Sequence, residues 1–239
     1  IPFLIERWNA KAIALSHKKE YPKELKEQYL ESTQNNITNA FLRAYLSEHK
    51  ELIRVYACGG DGTLNECLNG IVGFDNVELA VYAIGTGNDF VKIYGGAEKF
   101  LNLDNIINGT TEEIDISKIV VDNNKEVYSL NAINMGFDAY VGAIGNTYKE
   151  KNKKHPYDKA LVTALFSKRF NKFDVVVDGV KISKKKTLLC NFCHGQYIGG
   201  KYKTAPRSDN KDGLLDVLLV PALSLQLQSA HQSVITTPS

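Results

Sequence analysis

The sequence predicts an α/β domain followed by a mainly β, sandwich-like domain. Two short apolar runs rich in strand-forming residues, LIRVYAC (52–58) and LAVYAI (79–84), are each followed by a glycine turn. Beyond residue 110 most of the chain alternates strand-like runs with Gly, Asn, Asp and Lys turns. We therefore predict an α/β nucleotide-binding domain over 1–110 and a β-rich domain over 111–239.

The first domain follows a strand and helix alternation. Apolar residues at helical spacing predict a helix over Tyr21–Glu51, with a break near Asn35, and a second helix over Thr63–Ile71. The second helix separates the two strands, which implies a parallel βαβ unit. Because the carboxyl ends of parallel strands meet at the same edge of a sheet, the two glycine turns should lie side by side.

The second domain is predicted from a series of strand-like segments. One helical interval, Tyr157–Phe170, interrupts them. The predicted strands lie in IDISKIVVD, VYSLNAINMGF, FDVVVDG, KTLLCNFC and GLLDVLLV.

Composition excludes several classes of protein. The 239 residues are 44% hydrophobic and 23% charged, as in a globular protein, and the formal charge of +2 gives no argument for a nucleic-acid partner. No apolar run is long enough to span a membrane, and the start carries no signal-peptide pattern. Lysines cluster at 149–154 and 184–186, either on solvated loops or against phosphate on a nucleotide or an anionic membrane.

The four cysteines are too few and too irregularly spaced for a disulfide framework, so a cytoplasmic location is the default. Cys190 and Cys193 form one CxxC pair, but a structural zinc site requires a second pair. We expect a strand with two buried thiols there. Because the sequence begins at Ile1 without Met, we also expect it to lack segments of the natural protein.

The first glycine turn, CGGDGTLNE (58–66), opens into a helix. Such a turn presents unpaired N–H groups and the positive end of the helix dipole, which favours phosphate. Asp61 repels phosphate unless it reaches a bridging magnesium ion or accepts a proton. The pattern is neither a Walker A loop nor GxGxxG, and a tight turn without ligand is the alternative.

The second turn, GTGNDF (85–90), places Thr86 as a phosphate or ribose donor. Asn88 and Asp89 join that site, cap a helix that begins near Phe90, or do both. The residues predicted to bind nucleotide are Gly59, Gly60, Asp61, Gly62, Thr63, Leu64, Asn65 and Glu66 in the first turn and Gly85, Thr86, Asn88 and Asp89 in the second.

Three segments in order resemble the catalytic domain of the diacylglycerol kinase and sphingosine kinase family, and most of all the bacterial lipid kinases. They are GGDGTLNE (59–66), AIGTGNDF (83–90) and GGKYKTAPRSDNKDGLLDV (199–217). GGDGT alone also occurs in NAD kinases and phosphofructokinases. The resemblance implies an active site in the cleft between the two domains, with ATP against 60–65 and Thr86.

The resemblance also implies a magnesium site and an acceptor site. The magnesium ligands would be the Asp209 carbonyl, the Asp212 carboxylate and the Leu214 carbonyl, although a plain β-turn also favours these residue types. NMGFDAYV (134–141) is similar to the segment that faces the acceptor lipid. There Asp138 would bind or deprotonate the acceptor hydroxyl, or make only local bonds.

Two motifs of the family are absent from this sequence: an early Asn-Pro and Ser-Gly turn, and a late Asp-Gly-Glu turn that supplies the proposed base. We expect missing sequence to account for both. The predicted function is phosphorylation of a lipid hydroxyl such as that of diacylglycerol, with ATP and Mg²⁺, at transient membrane contact. An NAD kinase and a nucleotide- or lipid-binding module without catalysis are the rivals. The acceptor lipid and the oligomeric state, dimer included, stay open.

Overall fold

A computed structural model describes residues 37–121, 125–151, 154–166, 175–182, 187–221 and 234–238. The chain divides into two compact units. The first runs through Leu130 and also includes Gln196–Lys203. The second comprises Asn131–Gly195 and the chain from Thr204 onward.

The first unit is built on a parallel strand pair. Strand β1 (Ile53–Gly59) pairs in register with β2 (Val77–Ala83), from Ile53 opposite Val77 to Gly59 opposite Ala83. Helix α2 (Asp61–Ile71) connects them. The predicted strand, helix and parallel strand are therefore confirmed, within two residues at each strand end.

Helix α1 (Ile37–Glu48) packs on α2 through a close contact. A Cβ atom at Gly70 would lie 2.9 Å from Leu42 Cδ1, so the glycine allows the two helices to approach. The predicted helix over Tyr21–Glu51 is described only in its second half, because 21–36 lie outside the described residues. The buried core of this unit includes Leu42, Leu46, Ile53, Val55, Ala57, Leu64, Cys67, Leu68, Ile71, Phe90 and Val91.

A β-hairpin also packs on α2, although it follows the predicted domain boundary near residue 110. Asn69 of α2 accepts a hydrogen bond from the Tyr128 N–H (2.8 Å) and donates one to the Tyr128 carbonyl (2.9 Å). The Asn69 side-chain amide thus bonds to both backbone groups of Tyr128, as a neighbouring strand would, and this attaches the hairpin to α2. The two units accordingly divide after Leu130. The remaining elements of the first unit are 3₁₀-helices Phe90–Tyr94 and Ala97–Phe100, α3 (Leu103–Asn108), β3 (Ser117–Val121), β4 (Lys125–Ser129), β9 (Tyr197–Ile198) and β10 (Tyr202–Lys203).

The second unit contains a four-stranded antiparallel sheet in the order β12-β11-β8-β5. A short hairpin, β6–β7, turns at Asp178 and Gly179, both at positive φ (48° and 77°), as an Asp-Gly turn requires. Val175 next to this hairpin packs with Cys190 and Val217 of the sheet. The elements are β5 (Ala132–Gly136), α4 (Phe137–Glu150), α5 (Pro156–Phe166), β6 (Val176–Val177), β7 (Val180–Lys181), β8 (Thr187–Cys193), β11 (Leu214–Pro221) and β12 (Val234–Pro238).

The predicted fold class, an α/β domain followed by a mainly β domain, is confirmed, but one long helix was not predicted. The run VYSLNAINMGF leads out of β4 into β5, and β5 ends at Gly136, where φ is 88°. Helix α4 begins at the next residue. Strand-forming residues on both sides of the turn concealed this change. None of the described helices combines the length and the apolar character needed to cross a bilayer.

Candidate phosphate-binding site

The two glycine turns lie side by side, as the sequence predicts. Gly59 and Ala83, the last residues of β1 and β2, face each other in the sheet, and the Gly85 N–H donates to the Gly59 carbonyl (3.2 Å). A Cβ atom at Gly85 would lie 2.2 Å from Gly60 Cα. A side chain at Gly85 would therefore collide with the backbone of the first turn, so glycine is required for the two turns to make contact.

The three glycines of the first turn are required for different local reasons. Gly60 has φ of −101°, which any residue adopts, so the need there is for space and not for a special backbone conformation. A Cβ at Gly59 would lie 2.4 Å from Thr63 Oγ1. Gly62, by contrast, is exposed, and an added Cβ would meet nothing within 4 Å. Gly62 is thus the glycine of this turn that leaves open space beside the start of α2.

The start of α2 can receive an anion. The first helical amides, from Asp61 to Thr63, have no carbonyl one turn earlier within the helix, whereas the Leu64 N–H donates to the Gly60 carbonyl (3.0 Å). The helix dipole adds positive potential at this end. Together with the open space at Gly62, these amides fit a phosphate group.

Asp61 connects the two turns. Its Oδ2 accepts a hydrogen bond from the Asp89 N–H (2.9 Å), and its Oδ1 accepts one from the Phe90 N–H (3.0 Å). The carboxylate therefore accepts hydrogen bonds from the backbone N–H groups at the start of the 3₁₀-helix Phe90–Tyr94, which follows the second turn. Because a carboxylate offers about four lone-pair sites, these two bonds leave room for a water or a metal ion.

Asn88 holds the second turn in shape from inside. Its φ is +48°, and its Nδ2 donates to the Ala83 carbonyl (3.0 Å) and the Gly85 carbonyl (2.7 Å). Asn88 is buried, and its Oδ1 has no hydrogen-bond partner among the described residues. The residue thus closes the turn rather than capping the following helix.

Asp89 occupies the N-cap position before Phe90, but its side chain accepts no capping hydrogen bond from that helix. Both of its carboxylate oxygens accept from the Gly200 N–H at 3.0 Å, and it pairs with the Lys92 ammonium. Lys92 Nζ in turn donates to the Gly200 carbonyl (2.7 Å). The alternative that Asn88 and Asp89 cap the helix is therefore wrong, because the N–H groups of Asp89 and Phe90 at its start donate to the Asp61 carboxylate instead.

The Gly200 contact brings the third sequence segment to the second turn. Gly199 and Gly200 both have positive φ (62° and 79°), which turns the chain between β9 and β10. A Cβ on Gly200 would lie 3.6 Å from Gly87 Cα. Lys92, which completes this junction, carries no motif of its own, so the sequence alone did not identify it.

The other predicted nucleotide residues differ in exposure. Thr86 is exposed and Thr63 is half-buried. The side chain of Leu64 lies in the core and its amide is used within the helix. Leu64 therefore shapes the turn and offers no donor. Asn65 and Glu66 are half-buried on α2, and the Asn65 carbonyl accepts from Asn69 Nδ2 (2.8 Å).

The predicted magnesium ligands lie in the loop before β11, in the second unit. The Ser208 hydroxyl donates to Asp216 Oδ2 and closes the base of this loop. Asp209 Oδ1 accepts from the Lys211 N–H (3.1 Å), and Asp212 Oδ1 accepts from the Leu214 N–H (2.9 Å). These bonds suit both alternatives, a plain turn and a loop that presents oxygen ligands.

The donor set of this loop fits magnesium chemically. It consists of one exposed carboxylate and two main-chain carbonyls, all oxygen. No group of three or more His, Cys, Asp or Glu side chains suited to a metal occurs in the described part of the chain. A set of one carboxylate and two carbonyls does not depend on such a group. The magnesium site therefore stays a prediction.

Asp138 lies in the first turn of α4, and Asn191 of β8 donates its Nδ2 to Asp138 Oδ2 (2.8 Å). Burial raises the pKa of Asp138, and the hydrogen bond from Asn191 lowers it in part. The carboxyl group thus combines restricted solvation with a fixed orientation. Asn191 was not predicted, since a single Asn within a strand carries no sequence signal.

The two cysteines of the second unit are buried on β8. Cys190 and Cys193 are three residues apart on β8, so they point to opposite faces of the sheet. Burial raises the pKa of Cys190 to about 11 and, together with Asp216 and Asp138, that of Cys193 to about 12. Both are free, buried thiols, as the sequence analysis expects.

The protein thus has two compact units. The first contains a βαβ motif with two adjacent glycine turns, and the second is mainly β. Comparison with known proteins makes this more specific. A family model described as the diacylglycerol kinase catalytic domain matches residues 7–119. A second, described as the YegS C-terminal NAD kinase beta sandwich-like domain, matches residues 131–232.

Individual relatives agree with the family models. A diacylglycerol kinase of Mycobacterium tuberculosis is 30% identical over 167 residues, which is 69% of this chain and 54% of the relative. A diacylglycerol kinase of Bacillus subtilis is 29% identical over 180 residues, 74% of this chain and 57% of the relative. The chain thus spans about half the length of the curated relatives it matches.

A solved structure shares the fold. The crystal structure of a diacylglycerol kinase from Bacillus anthracis covers 80% of this chain and 60% of its own, with a TM-score of 0.54 and 21% identity. The resemblance to the diacylglycerol kinase family that the three segments predict is therefore confirmed.

Proposed function

We propose that the protein is an ATP-dependent lipid kinase that phosphorylates a lipid hydroxyl such as that of diacylglycerol. The observation that carries the proposal is the joining of the two glycine turns at one sheet edge, with the open start of α2 between them. The names of the relatives, diacylglycerol kinases, support the choice of a lipid acceptor.

In this proposal the ATP phosphates lie on the first amides of α2, beside Gly62, and Thr86 donates a hydrogen bond from the second turn. Phosphoryl transfer relies mainly on positioning and on neutralising charge. The backbone amides supply both without a mobile side chain. Asp89 and Gly200 keep the second turn in place through the contacts described above.

Magnesium, when bound with ATP, would supply positive charge that neutralises the phosphates. Asp61 would hold it, directly or through a water, while its two accepted hydrogen bonds fix the carboxylate. Asp212 and the carbonyls of Asp209 and Leu214 would hold a second, structural ion. Asp138 would accept a hydrogen bond from the acceptor hydroxyl, and its raised pKa suits a group that receives a proton.

The acceptor is held in a membrane, so the enzyme would work at a lipid surface. Exposed Lys151, Lys154 and Lys159 in the second unit suit contact with anionic head groups. This contact is expected to be transient and sensitive to salt, because exposed charges attract the surface over about a Debye length only.

An NAD kinase is the second candidate, since the second family model is described as NAD kinase beta sandwich-like. The deciding experiment offers radiolabelled ATP to the full natural chain with a lipid panel in mixed micelles and, separately, with NAD. We expect label in a lipid and none in NAD. Label in NAD alone would establish the second candidate, and ATP binding without any transfer would identify a binding module.

Asp61→Asn is the matched variant in that assay. The amide keeps the size of the side chain, but it loses the charge and can accept only one of the two backbone hydrogen bonds. We expect lipid phosphorylation to fall at least tenfold, which corresponds to about 1.4 kcal/mol in the barrier. Undiminished phosphorylation by Asp61→Asn would remove the proposed role of Asp61.

A further inference from the structure

The segment Gln196–Lys203, called the strap below, is a late part of the chain that belongs to the first unit. Its two short strands, β9 and β10, pair with each other, and residues 199–201 form the tip between them. Both backbone groups of Gly200 are held, because its N–H donates to the Asp89 carboxylate and its carbonyl accepts from Lys92 Nζ. The tip of the strap is therefore fixed against the second glycine turn.

The tip lies close to Asp61 as well. A Cβ atom at Gly200 would lie 3.6 Å from Gly87 Cα, and a Cβ atom at Gly87 would lie 3.1 Å from Asp61 Oδ2. Lys201 follows Gly200 directly, and consecutive Cα atoms are about 3.8 Å apart. Since lysine carries its ammonium on a flexible four-carbon stem, the Lys201 ammonium can reach a phosphate bound at the two turns.

The two glycine turns lack a positive charge of their own. Residues 58–66 and 85–90 include three carboxylates and no Lys or Arg. Lys92 forms a salt bridge with one of these carboxylates, that of Asp89. The other two leave the turns with a net negative charge, which opposes a triphosphate. Because phosphoryl transfer depends on neutralising charge, a site of this composition requires a further cation.

Lys201 offers such a cation. It is exposed, and among the described residues no hydrogen bond or ion pair engages its ammonium. The other lysine at the end of the strap, Lys203, lies over the Tyr197 ring, with its ammonium 5.5 Å from the ring centroid. The strap tip therefore presents an uncommitted positive charge beside the turns.

We propose that Lys201 binds the γ-phosphate of ATP. The two bonds to Gly200 position this lysine, and its ammonium supplies the charge that the turns lack. Lysine binds phosphate as a point charge, so a flexible side chain at a fixed backbone position suits this role. The inference rests on the proposed function, since it assumes that the phosphates lie on the first amides of α2. It predicts that Lys201 distinguishes ATP from ADP.

Calorimetric titration of the full natural chain with ATP and with ADP, each with Mg²⁺, tests the proposal. We expect wild type to bind ATP more tightly than ADP by about tenfold, because a charged hydrogen bond to the γ-phosphate adds to the amide contacts. Lys201→Gln should lose most of that difference and bind ADP as wild type does. Lys201→Arg keeps the charge and should retain a preference for ATP.

Two further variants control for charge alone. Lys203→Gln removes one positive charge from the same strap, and Lys50→Gln removes one near the start of β1, at the end of the strand opposite the turns. Both should keep the ATP preference of wild type. All three lysines are exposed, and thermal unfolding checks that each variant folds. An undiminished preference in Lys201→Gln, or an equal loss in Lys203→Gln, would overturn the proposal.

An ATP derivative with an acyl group on its γ-phosphate locates the ammonium directly. A deprotonated lysine amine attacks the acyl carbonyl and forms a C–N bond. The bond from the carbonyl carbon to the phosphate oxygen breaks, ATP leaves with that electron pair, and the amine proton passes to solvent. We expect peptide mapping to find the acyl group on Lys201, and excess ATP to prevent the labelling. Acylation of Lys92 or Lys203 without Lys201 would contradict the proposal.

Failure of this inference and failure of the proposed function give different results. An ATP preference that depends on Lys201, in a chain that transfers no label to any lipid, would contradict the kinase function alone. Label transfer to a lipid by a chain in which neither the ATP preference nor the acylation involves Lys201 would contradict this inference alone.

Discussion

Asp61 joins two segments of chain that are far apart in sequence. Its carboxylate accepts from the backbone of Asp89 and Phe90, and Asp89 in turn accepts from Gly200. The acidic residues of the two motifs are therefore linked in series through backbone amides. A carboxylate in this position costs little, because charged hydrogen bonds to N–H groups replace the water it loses.

Asp138 shows the opposite balance, because burial raises its pKa in spite of the bond from Asn191. The folded chain therefore binds this proton more tightly than the unfolded chain, so stability falls as the pH rises between the two pKa values. We expect Asp138→Asn to raise the Tm at neutral pH, and the gain to shrink as the pH is lowered. Thermal unfolding followed over a pH series measures this.

Asp75→Asn, at an exposed aspartate of the first unit, is the control for that series and should leave the Tm nearly unchanged. A lower Tm for Asp138→Asn at every pH would contradict the expectation. It would mean that the carboxylate stabilises the folded chain.

The glycine turns illustrate what sequence can and cannot predict about an element. Their place at the ends of β1 and β2 follows from apolar runs and glycine spacing, and the parallel pairing confirms it. Their mutual contact, Gly85 against Gly60, does not follow, because close approach between segments depends on three-dimensional packing. The glycines thus serve two purposes: some allow backbone contact and one leaves open space. The glycine spacing in the sequence does not distinguish the two.

Two alanine substitutions separate these purposes. Gly85→Ala places a methyl group 2.2 Å from Gly60 Cα, and because that neighbour is backbone, we expect a loss of about 1–3 kcal/mol in the free energy of unfolding. Gly62→Ala meets nothing within 4 Å and should leave stability unchanged or raise it by up to about 1 kcal/mol. Chemical denaturation measures both.

Gly62→Ala, which should not destabilise the fold, is the variant that we expect to weaken ATP binding. Gly62→Ala fills the space beside the first amides of α2, so we expect ATP affinity to fall roughly tenfold, or about 1.4 kcal/mol, in a folded protein. Calorimetric titration with ATP and Mg²⁺ measures this. Unchanged ATP affinity in Gly62→Ala would show that the phosphates do not approach there.

At the scale of the whole molecule, the order of an α/β unit and a mainly β unit could be predicted from local patterns. The division between them could not. Composition becomes β-rich near residue 110, but the β3–β4 hairpin is held to α2 by Asn69, and the units divide after Leu130. The return of Gln196–Lys203 to the first unit was equally hidden, because it depends on the bonds between Asp89, Lys92 and Gly200.

The surroundings of Asp138 in the second unit were hidden for a related reason. Asn134 and Asn191 are 57 positions apart and become neighbours only through the pairing of β5 with β8. Asp138 was predicted as a candidate from the resemblance, whereas its partner Asn191 is visible only in the folded sheet. Sequence motifs identified candidate residues in the turns, whereas a strand residue such as Asn191 is identified only by the strand pairing in the structure.

The proposed function depends on the two joined glycine turns holding the phosphates of ATP. The most direct measurement is a crystal structure of the full natural chain with a non-hydrolysable ATP analogue and Mg²⁺. We predict phosphate oxygens within hydrogen-bonding distance of the first amides of α2, beside Gly62, and of the second turn at Thr86. A nucleotide bound away from both turns, with these amides facing only water, would contradict the account.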